Sequence, residues 1–336
     1  MKAVTIDRYG SPDVLQLKEI EDPLVEEDDV LVKIRAASVN PYDWHVMTGL
    51  PYIARAQFGL LKPKVTGMGA DLAGRVKAVG KNVTTFVPGD EVFGEVDGEV
   101  PGQPMLELGS LAEYVCVKES SIVHKPEGLT FEQAAALPLA GHTALRGLRD
   151  QAGVAAGQSV LINGASGGVG TLAVQVAKAL GAEVTGVCST KNLDLVRSLG
   201  ADRVIDYTRE DFVQAGQRYD VILDNVGNRK LSECLQVLEP EGVYLASFGQ
   251  PGSRWLGPML QLVSMAAKSA FVRQNLVTLT TRRTREALLD LKELVDEGKI
   301  SPVIDRTYGL GEAVDAMRYV EEGHARGKVV ISVADA

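Results

Sequence analysis

Hydrophobic and polar positions follow different patterns in two parts of the chain. Residues 1–125 carry short β-like segments, such as VLVKIRA at 30–36 and AGRVKAV at 73–79, and few stretches with helical spacing. Short strands divided by turn residues are typical of antiparallel β structure. This part is therefore predicted to form a β-rich domain with the shape of a barrel.

From about residue 126 onward, apolar runs alternate with helical segments. The run SVLI at 159–162 precedes residues 169–180, in which apolar positions recur every three to four residues. Further strands are predicted at 182–188, 203–207, 220–225, 242–248 and 277–280. Repeated strand–helix–strand order predicts a parallel sheet covered by helices on both faces. The fold class is therefore α/β, a doubly wound Rossmann sheet plus the β-rich domain, to which the last strand, 328–332, is expected to return.

The segment NGASGGVG at 163–170 lies between a predicted strand and a predicted helix. This is the setting of a dinucleotide-binding loop, in which helix N–H groups and the helix dipole bind phosphate. The fingerprint G-x-G-x-x-G has a glycine where this chain has Ala165, and Gly164 is expected to take the tight turn instead. A glycine-rich turn without a ligand is the alternative. The predicted cofactor contacts are Gly164, Ala165, Ser166, Gly167, Gly168, Val169 and Gly170.

The tip of the second predicted strand indicates which dinucleotide binds. NAD-binding chains carry an acid there for the ribose 2′-hydroxyl, whereas this chain has Ser189, Thr190 and Lys191. Hydroxyls and a lysine suit a 2′-phosphate, so NADPH is predicted. The hydroxyls are also suited to capping the helix that begins near Asn192. Tyr207, at the end of the third strand, is predicted either to contact the adenine or its phosphate or to be a half-buried strand residue.

Charge and cysteine content indicate which kinds of binding partner and which cellular compartment to expect. The 44 acidic and 35 basic residues give a net charge of −9, which disfavours nucleic acid and anionic membranes. The three cysteines are far apart and odd in number, which indicates a reducing compartment. The charged N-terminus does not resemble a signal peptide, and no apolar run reaches membrane-spanning length. We therefore expect a cytoplasmic protein that acts on a small molecule.

A set of motifs, in this order, resembles the medium-chain dehydrogenases/reductases, and more narrowly their zinc-independent quinone oxidoreductase and ζ-crystallin group. The motifs are VNPYD at 39–43, GMGADLAG at 67–74, VPGDEV at 87–92, AGHTA at 140–144 and the loop at 163–170. The resemblance spans nearly the whole chain. It implies a GroES-like catalytic domain at 1–124 and 298–336, a Rossmann NADPH-binding domain at 125–297, and a homodimer or homotetramer.

The resemblance also implies catalytic residues. Asn40 and Asp43 match the motif that lies beside the nicotinamide in this group. A developing oxyanion needs a donor, for which Asn40, Tyr42 and Tyr52 are candidates, and Asp43 is expected to orient a neighbour. Ordinary loop packing is the alternative for both tyrosines.

Four more residues complete the predicted cofactor site. Thr143, in AGHTA, matches a threonine that approaches the cofactor in this group. Asn225 and Phe248 lie at the ends of predicted strands, and Lys328 lies at the start of the last one.

Zinc is not expected. Zinc-dependent relatives carry a cysteine where this chain has Asn40, and a His-Glu pair near positions occupied by Met68 and Ala70. Their four-cysteine lobe falls near 95–109, a segment without cysteine, and the histidines of this chain, including His45, are scattered. His45 is expected to be a solvated or hydrogen-bonded loop residue. Without a Lewis acid, hydride transfer to an electron-poor quinone or enone is favoured over alcohol oxidation.

Two other functions stay open at this point. An enoyl-thioester reductase of the same fold would need a basic entrance, for which RRTR at 282–285 is the only cluster. A non-enzymatic NADPH-binding sensor is the second. The apolar segment 250–271 is expected to be a lid over the site or a subunit contact.

Overall fold

The structure is a computed structural model that describes residues 1–96, 109–247, 259–279 and 284–334. The predicted contact Phe248, most of the segment near 95–109 and the first part of the segment 250–271 lie outside these ranges. Within the described ranges, no helix combines the length and apolar character that crossing a membrane requires.

The strands and helices are numbered in chain order. The strands are β1 (Lys2–Thr5), β2 (Gln16–Glu19), β3 (Asp29–Val39), β4 (Asp71–Val79), β5 (Glu91–Glu95), β6 (Tyr114–Lys118), β7 (Ile122–His124), β8 (Ser159–Asn163), β9 (Glu183–Cys188), β10 (Arg203–Asp206), β11 (Tyr219–Asp224), β12 (Leu238–Ala246), β13 (Asn275–Thr278), β14 (Ile304–Gly309) and β15 (Lys328–Ser332). The α-helices are α1 (Pro41–Thr48), α2 (Arg55–Phe58), α3 (Phe131–Ala135), α4 (Pro138–Leu145), α5 (Gly168–Ala179), α6 (Leu193–Ser198), α7 (Leu231–Gln236), α8 (Met259–Ser269), α9 (Arg285–Asp296) and α10 (Ala313–Glu321).

The chain forms two compact units. The first comprises Met1–Leu139, Arg283–Asp296 and Pro302–Ala336, and the second comprises Ala140–Arg282 and Glu297–Ser301. Each unit has a sheet of its own and a buried apolar core.

The first unit is built on a mainly antiparallel sheet, as the turn-divided strands predict. Its strand order is β14–β15–β3–β4–β5–β7, with β6 also paired to β3. Strand β15 runs antiparallel to β3, with Val329 opposite Val39 and Ser332 opposite Ala36. The prediction that the last strand returns to the first part of the chain is thereby confirmed.

The second unit contains the predicted parallel sheet. Its strand order is β10–β9–β8–β11–β12–β13, and every pair is parallel. The order reverses between β8 and β11, so the carboxyl ends of these two strands flank a topological switch point. Open α/β sheets bind ligands at such points. The α/β fold class, with a doubly wound sheet and a separate β-rich part, is confirmed.

The two units and the predicted domain limits differ at three places. The first unit extends to Leu139 rather than ending at residue 124, because α3 packs against β3 and β4. Helix α9 also belongs to the first unit, since it packs on β7. Residues 297–301 belong to the second unit, where the Gln175 side chain on α5 bonds both backbone groups of Ser301, at 2.9 and 2.8 Å.

Candidate active site

The loop between β8 and α5 is anchored to the neighbouring strand. Gly164 has φ of +80°, a left-handed conformation that glycine adopts without strain. The expectation that Gly164 takes the tight turn is confirmed. The backbone N–H groups of Gly164 and Ala165 both donate to the carbonyl of Val187, at 3.1 and 3.0 Å. The turn therefore has a fixed position at the end of β9.

Gly167 and Gly170 in this loop differ in whether the packing around them requires a glycine. A Cβ at Gly170 would lie 2.1 Å from the Gly164 carbonyl oxygen, so only glycine allows α5 to start this close to the turn. A Cβ at Gly167 would meet its nearest neighbour at 3.5 Å, an ordinary contact. Packing within the protein therefore explains Gly170 and leaves Gly167 without a packing reason, as expected for a site where a ligand approaches the backbone.

The beginning of α5 provides an anion-binding surface. The first backbone bond into the helix runs from Thr171 to the Gly167 carbonyl, at 2.9 Å. The N–H groups of Gly168, Val169 and Gly170 precede it and have no acceptor within the helix. Together with the positive end of the helix dipole, they suit a phosphate.

Asn192 joins the loop to the tip of β9. Its Nδ2 atom donates to Ser166 Oγ at 2.9 Å and to Ser189 Oγ at 3.3 Å, and its side chain is buried. No side-chain cap bond is made by Ser189 or Asn192 at the helical turns that follow them, so the capping alternative is not what these side chains do. Sequence reasoning noted Asn192 only as a helix start and missed this connecting role.

The predicted 2′-phosphate residues surround the ends of β9 and β10. Lys191 is exposed and makes no hydrogen bond or ion pair with the described part of the chain. Thr190 Oγ1 donates to Asp206 Oδ2 at 2.5 Å, and this bond lowers the pKa of the Asp206 carboxyl. Tyr207 is 51% exposed and follows β10, so it is not the half-buried strand residue of the alternative interpretation. The sequence at the tip of β9 does not reveal Asp206, because this acid lies at the end of the adjacent strand, β10.

At the switch point, Asp224 organises the ends of β8 and β11. Its buried carboxylate accepts bonds from Asn163 Nδ2 at 2.9 Å, from the N–H groups of Val226 and Gly227 at 3.0 and 2.8 Å, and from Tyr244 Oη at 2.7 Å. Burial raises the pKa of the Tyr244 hydroxyl, which therefore remains a donor. Asp224 thus fixes the loop that contains Asn225.

One buried polar atom of Asn225 has no hydrogen-bond partner among the described residues. Its backbone N–H and its Nδ2 group both donate to the Asn163 carbonyl at 3.2 Å. Its Oδ1 atom is buried and accepts no hydrogen bond within the described residues. A buried acceptor without a donor is costly, and a ligand hydroxyl or amide at this crevice would satisfy it. The glycine turn, the start of α5 and this acceptor fit a dinucleotide.

In the first unit, Asn40 lies between β3 and α1. Its backbone N–H donates to Asp43 Oδ2 at 2.7 Å, which fixes the start of the helix. Its side-chain Nδ2 donates to Asp71 Oδ2 at 2.9 Å and to the Ser38 carbonyl at 3.3 Å, while its Oδ1 accepts from Lys328 Nζ. Both amide hydrogens are therefore already engaged. The role of Asn40 as an oxyanion donor stays a prediction, and it would require one of these bonds to be exchanged.

The structure separates the predicted residues into two sets. Asn40, Tyr42, Asp43, Tyr52 and Lys328 lie in the first unit, and Thr143 with the residues of the loop and strand ends lies in the second. Thr143 is buried on α4, and Lys328 is buried between Asn40 and Asp71.

Both candidate tyrosines take part in packing. The Tyr42 ring meets the Phe58 ring edge-on, with centroids 6.1 Å apart. The Arg55 guanidinium lies 4.7 Å from the Tyr52 ring centroid and 4.4 Å from that of Tyr9, so it is in contact with both aromatic rings. The packing roles expected as the alternative are therefore present, and contact with a substrate stays a prediction for both residues.

His45 is helical and carries its proton on a defined nitrogen. It lies in α1 rather than in the expected loop, and its Nδ1 atom is 2.6 Å from the Leu50 carbonyl. Since a carbonyl only accepts, Nδ1 bears the hydrogen. Burial lowers the pKa of the imidazole despite this bond, so the ring is neutral near pH 7.

The donor groups in the first unit do not fit a catalytic zinc ion. The Asn40 amide is engaged in hydrogen bonds, and Met68 and Ala70 are buried and apolar. Within the described ranges, no group of three or more His, Cys, Asp and Glu residues is arranged to hold a metal ion. Catalytic zinc requires three nitrogen, sulfur or oxygen ligands.

Comparison with known proteins covers nearly the whole chain. Residues 26–127 match the alcohol dehydrogenase GroES-like domain family, and residues 199–331 match the zinc-binding dehydrogenase family. The 2-methylene-furan-3-one reductase of Solanum lycopersicum is 37% identical over 343 residues, which cover 98% of this chain and 79% of that protein. The chloroplastic NADPH-dependent alkenal/one oxidoreductase of Arabidopsis thaliana is 36% identical with the same coverage.

A solved structure agrees with these similarities. The quinone oxidoreductase from Coxiella burnetii superposes with a TM-score of 0.84 at 33% identity, over 99% of both chains. The motifs, the strand order and these relatives lead to one conclusion: the chain belongs to the medium-chain dehydrogenase/reductase superfamily, in the group of quinone and enone oxidoreductases.

Proposed function

We propose that this chain is an oxidoreductase that uses NADPH to reduce a quinone or an α,β-unsaturated carbonyl compound. The observation that carries the proposal is the loop of the second unit, in which Gly164 turns, Gly170 admits the helix and the first N–H groups of α5 have no partner in the helix. Bound NADPH supplies a hydride.

NADPH rather than NADH is supported by the tips of β9 and β10. Lys191 is an exposed cation without a partner in the described part of the chain, so it is available to a phosphate. Ser189 adds a hydroxyl beside it, whereas the hydroxyl hydrogen of Thr190 is already donated to Asp206. The Asp206 carboxylate on the adjacent strand accepts hydrogen bonds from Thr190 and Thr208, so both of its oxygens are engaged within the protein.

The acceptor class follows from what the first unit offers. Among the described residues of that unit, no group of side chains is arranged to hold a Lewis-acid metal ion, so stabilising an alkoxide there would depend on hydrogen bonds. Quinones and conjugated carbonyls are already electron-poor and need less assistance. The chain's own contribution is to exclude water, to orient the acceptor and to donate a hydrogen bond to the oxygen that gains charge. The hydroxyls of Tyr42 and Tyr52 are the candidate donors of this hydrogen bond.

The two other functions have weaker support. In the basic cluster at 282–285, Arg285 lies 5.8 Å from the Phe86 ring within its own unit, so this guanidinium already has a packing role. Neither alternative is favoured by the two relatives described above, which are named as a 2-methylene-furan-3-one reductase and an alkenal/one oxidoreductase.

We also propose that the chain forms a homodimer through the second unit. Strand β13 ends the parallel sheet and has no further neighbour among the described strands. Val263 on α8 and Phe271 just after it are 62% and 88% exposed. An open strand edge beside exposed apolar side chains suits a subunit contact rather than solvent. This supports the contact interpretation for the later part of the segment 250–271. Light scattering on Phe271→Glu tests it, because the variant should be monomeric.

A cytoplasmic location is likewise a proposal. Its support is that Cys116, Cys188 and Cys234 are buried and unpaired, and burial raises the pKa of each thiol, to about 12, about 11 and about 12. Such thiols need no oxidising compartment. Fractionation of the native host with an antibody tests this, and a location in an oxidising compartment would contradict it.

Turnover assays decide among the functions. Oxidation of NADPH is followed at saturating cofactor with a quinone, an enal and an enoyl thioester. The proposed function expects turnover with the first two and little with the third. Deuterium placed on the nicotinamide C4 should appear on carbon in the enal product. Tight NADPH binding without turnover of any acceptor would favour the sensor, and preference for the thioester would favour the carrier-dependent reductase.

A further inference from the structure

Asp71 is a completely buried carboxylate that receives four hydrogen bonds. It lies at the first position of β4 and is 0% exposed. Its Oδ2 atom accepts from Ser38 Oγ at 2.5 Å, from Asn40 Nδ2 at 2.9 Å and from Lys328 Nζ at 3.1 Å. Its Oδ1 atom accepts from the backbone N–H of Leu139 at 2.9 Å. Both carboxylate oxygens are therefore hydrogen-bonded by the protein itself, without water.

Three of these four bonds come from the side chains of Ser38, Asn40 and Lys328. Asn40 and Lys328 belong to the predicted site, and Ser38 lies on β3 just before Asn40. Strands β15, β3 and β4 are adjacent in the sheet, and Lys328, Asn40 and Asp71 come from the neighbouring ends of those strands. Lys328 balances the charge of Asp71 and also donates to Asn40 Oδ1. The orientation of the Asn40 amide is therefore determined at both ends, by an acceptor on Asp71 and a donor on Lys328.

The fourth bond acts on a helix. Leu139 is the second residue of α4, and its N–H belongs to the first turn, where backbone donors have no partner in the helix. A carboxylate there satisfies one donor and stabilises the positive end of the helix dipole. The same helix contains Thr143, another predicted site residue.

We propose that Asp71 is a positioning residue for the reaction, since it sets the orientation of the Asn40 amide and of the Lys328 ammonium and fixes the first turn of α4. The inference rests on the proposed function. Its physical content is that no neutral side chain of the same shape replaces Asp71. An amide in its place offers one oxygen instead of two and brings two hydrogens, which would face the Lys328 ammonium or the donors of Ser38 and Asn40.

The direct test is the isosteric variant Asp71→Asn. Misplaced groups at a reacting centre reduce the rate more than they reduce cofactor binding, so kcat should fall by about 10- to 100-fold. The dissociation constant of NADPH, measured by fluorescence, should rise by a smaller factor than kcat falls, because Lys328 and Thr143 are only two of the predicted cofactor contacts and the loop at 163–170 lies in the other unit.

Asp29→Asn is the matched control. Asp29 also pairs with a lysine, Lys118, at 2.7 Å, and lies at the opposite end of β3 from Asn40. Ten residue steps along the strand separate the two ends by about 30 Å. Asp29→Asn also loses an ion pair but should keep the kcat of the wild type. Only Asp71→Asn should slow the reaction.

Two further variants separate positioning from folding. Asp71→Asn combined with Lys328→Met removes the isolated buried charge, and this double variant should regain thermal stability while kcat stays low. Ser38→Ala removes a single bond to Asp71 and is expected to fold; its kcat should fall by roughly three- to tenfold. If the Asp71 variants do not fold, Ser38→Ala decides alone.

The possible outcomes distinguish a failure of the positioning role from a failure of the proposed function. Wild-type kcat in folded Asp71→Asn, recovery of kcat together with stability in the double variant, or wild-type kcat in Ser38→Ala would each overturn the positioning role and leave the proposed function intact. A wild-type protein that turns over no quinone or enal would overturn the proposed function and this inference with it.

Discussion

The Lys328 ammonium lies 3.1 Å from the Asp71 carboxylate, with side chains that are 4% and 0% exposed. Taking two charges out of water costs several kcal/mol per ion, and only close pairing with further hydrogen bonds offsets that cost. Ser38, Asn40 and Leu139 supply those bonds to Asp71. The pair is therefore stable as a unit, and removing one partner leaves a buried charge uncompensated.

Lys328→Met should lower the free energy of unfolding by about 3–5 kcal/mol, the usual effect of breaking a buried pair from one side. Urea-induced unfolding at pH 7 measures it. The control is Lys118→Met, because the Lys118–Asp29 pair is 28% and 11% exposed at its side chains and solvent can take over part of the interaction. Its loss should be about 1 kcal/mol or less. Equal losses in the two variants would show that burial does not set the strength of these pairs.

Lys191→Ala should weaken NADPH binding by roughly 10- to 100-fold, since a charge-assisted contact contributes about 1.5–3 kcal/mol and each 1.4 kcal/mol is tenfold in affinity. Salt screening favours the lower figure. NADH lacks the 2′-phosphate, so its affinity should barely change. Arg197→Ala is the control, because Arg197 is an exposed cation on α6 that pairs with Asp194. Parallel losses for NADPH and NADH, or none for either, would remove Lys191 from the cofactor site.

Local patterns were enough to predict the parallel sheet and the turn that leads from β8 into α5. Period-2 and helical spacing are properties of short segments, and the loop at 163–170 combines its turn glycine, helix start and strand end within eight consecutive residues. Gly164 could therefore be assigned to the turn without knowledge of the tertiary structure. The return of the strand at 328–332 to the first part of the chain was also expected, but its neighbours β14 and β3 were not predicted.

The polar networks could not be predicted in the same way. Asp71 and Lys328 are 257 positions apart, and Asp224 and Tyr244 lie on adjacent strands 20 positions apart. Nothing in the neighbourhood of Asp71 in the sequence indicates which cation it meets. The available signals were weak: Asp71 lies in the motif at 67–74, and Asp224 ends an otherwise apolar strand. A charged residue that ends a buried run is a candidate for such a network, but its partners depend on strand order.

His45 should make stability depend on pH. Burial lowers the pKa of its imidazole below the ordinary value of 6.5, so between these two values the unfolded chain binds more protons than the folded one. Stability then rises with pH across that window and falls as the pH decreases below about 6.5. His45→Gln cannot titrate and should lose less Tm than the wild type between pH 7 and pH 5.

The comparison for this titration is His324→Gln, because His324 is exposed and should behave like the wild type at both pH values. Differential scanning fluorimetry at the two pH values gives three Tm shifts, one for the wild type and one for each variant. If His45→Gln loses as much Tm as the wild type, the acid sensitivity arises elsewhere in the chain.

The last prediction concerns two glycines of the same loop. An added methyl group should lower stability at one of them and cofactor affinity at the other. Gly170→Ala places a Cβ 2.1 Å from the Gly164 carbonyl, so the start of α5 must move and the protein should lose stability, by about 1–3 kcal/mol for overpacking of this kind. Gly167→Ala meets nothing closer than 3.5 Å, and Gly167 has φ of −81°, which alanine adopts freely. Its Tm should therefore stay close to that of the wild type. If the loop binds the cofactor pyrophosphate, the methyl group at position 167 will obstruct that approach, and NADPH affinity should fall by at least about tenfold, or 1.4 kcal/mol. Calorimetric titration with NADPH, alongside thermal melts of both variants, measures the two effects separately. A Gly167→Ala protein that binds NADPH as tightly as the wild type would mean that the backbone at this position does not face the pyrophosphate.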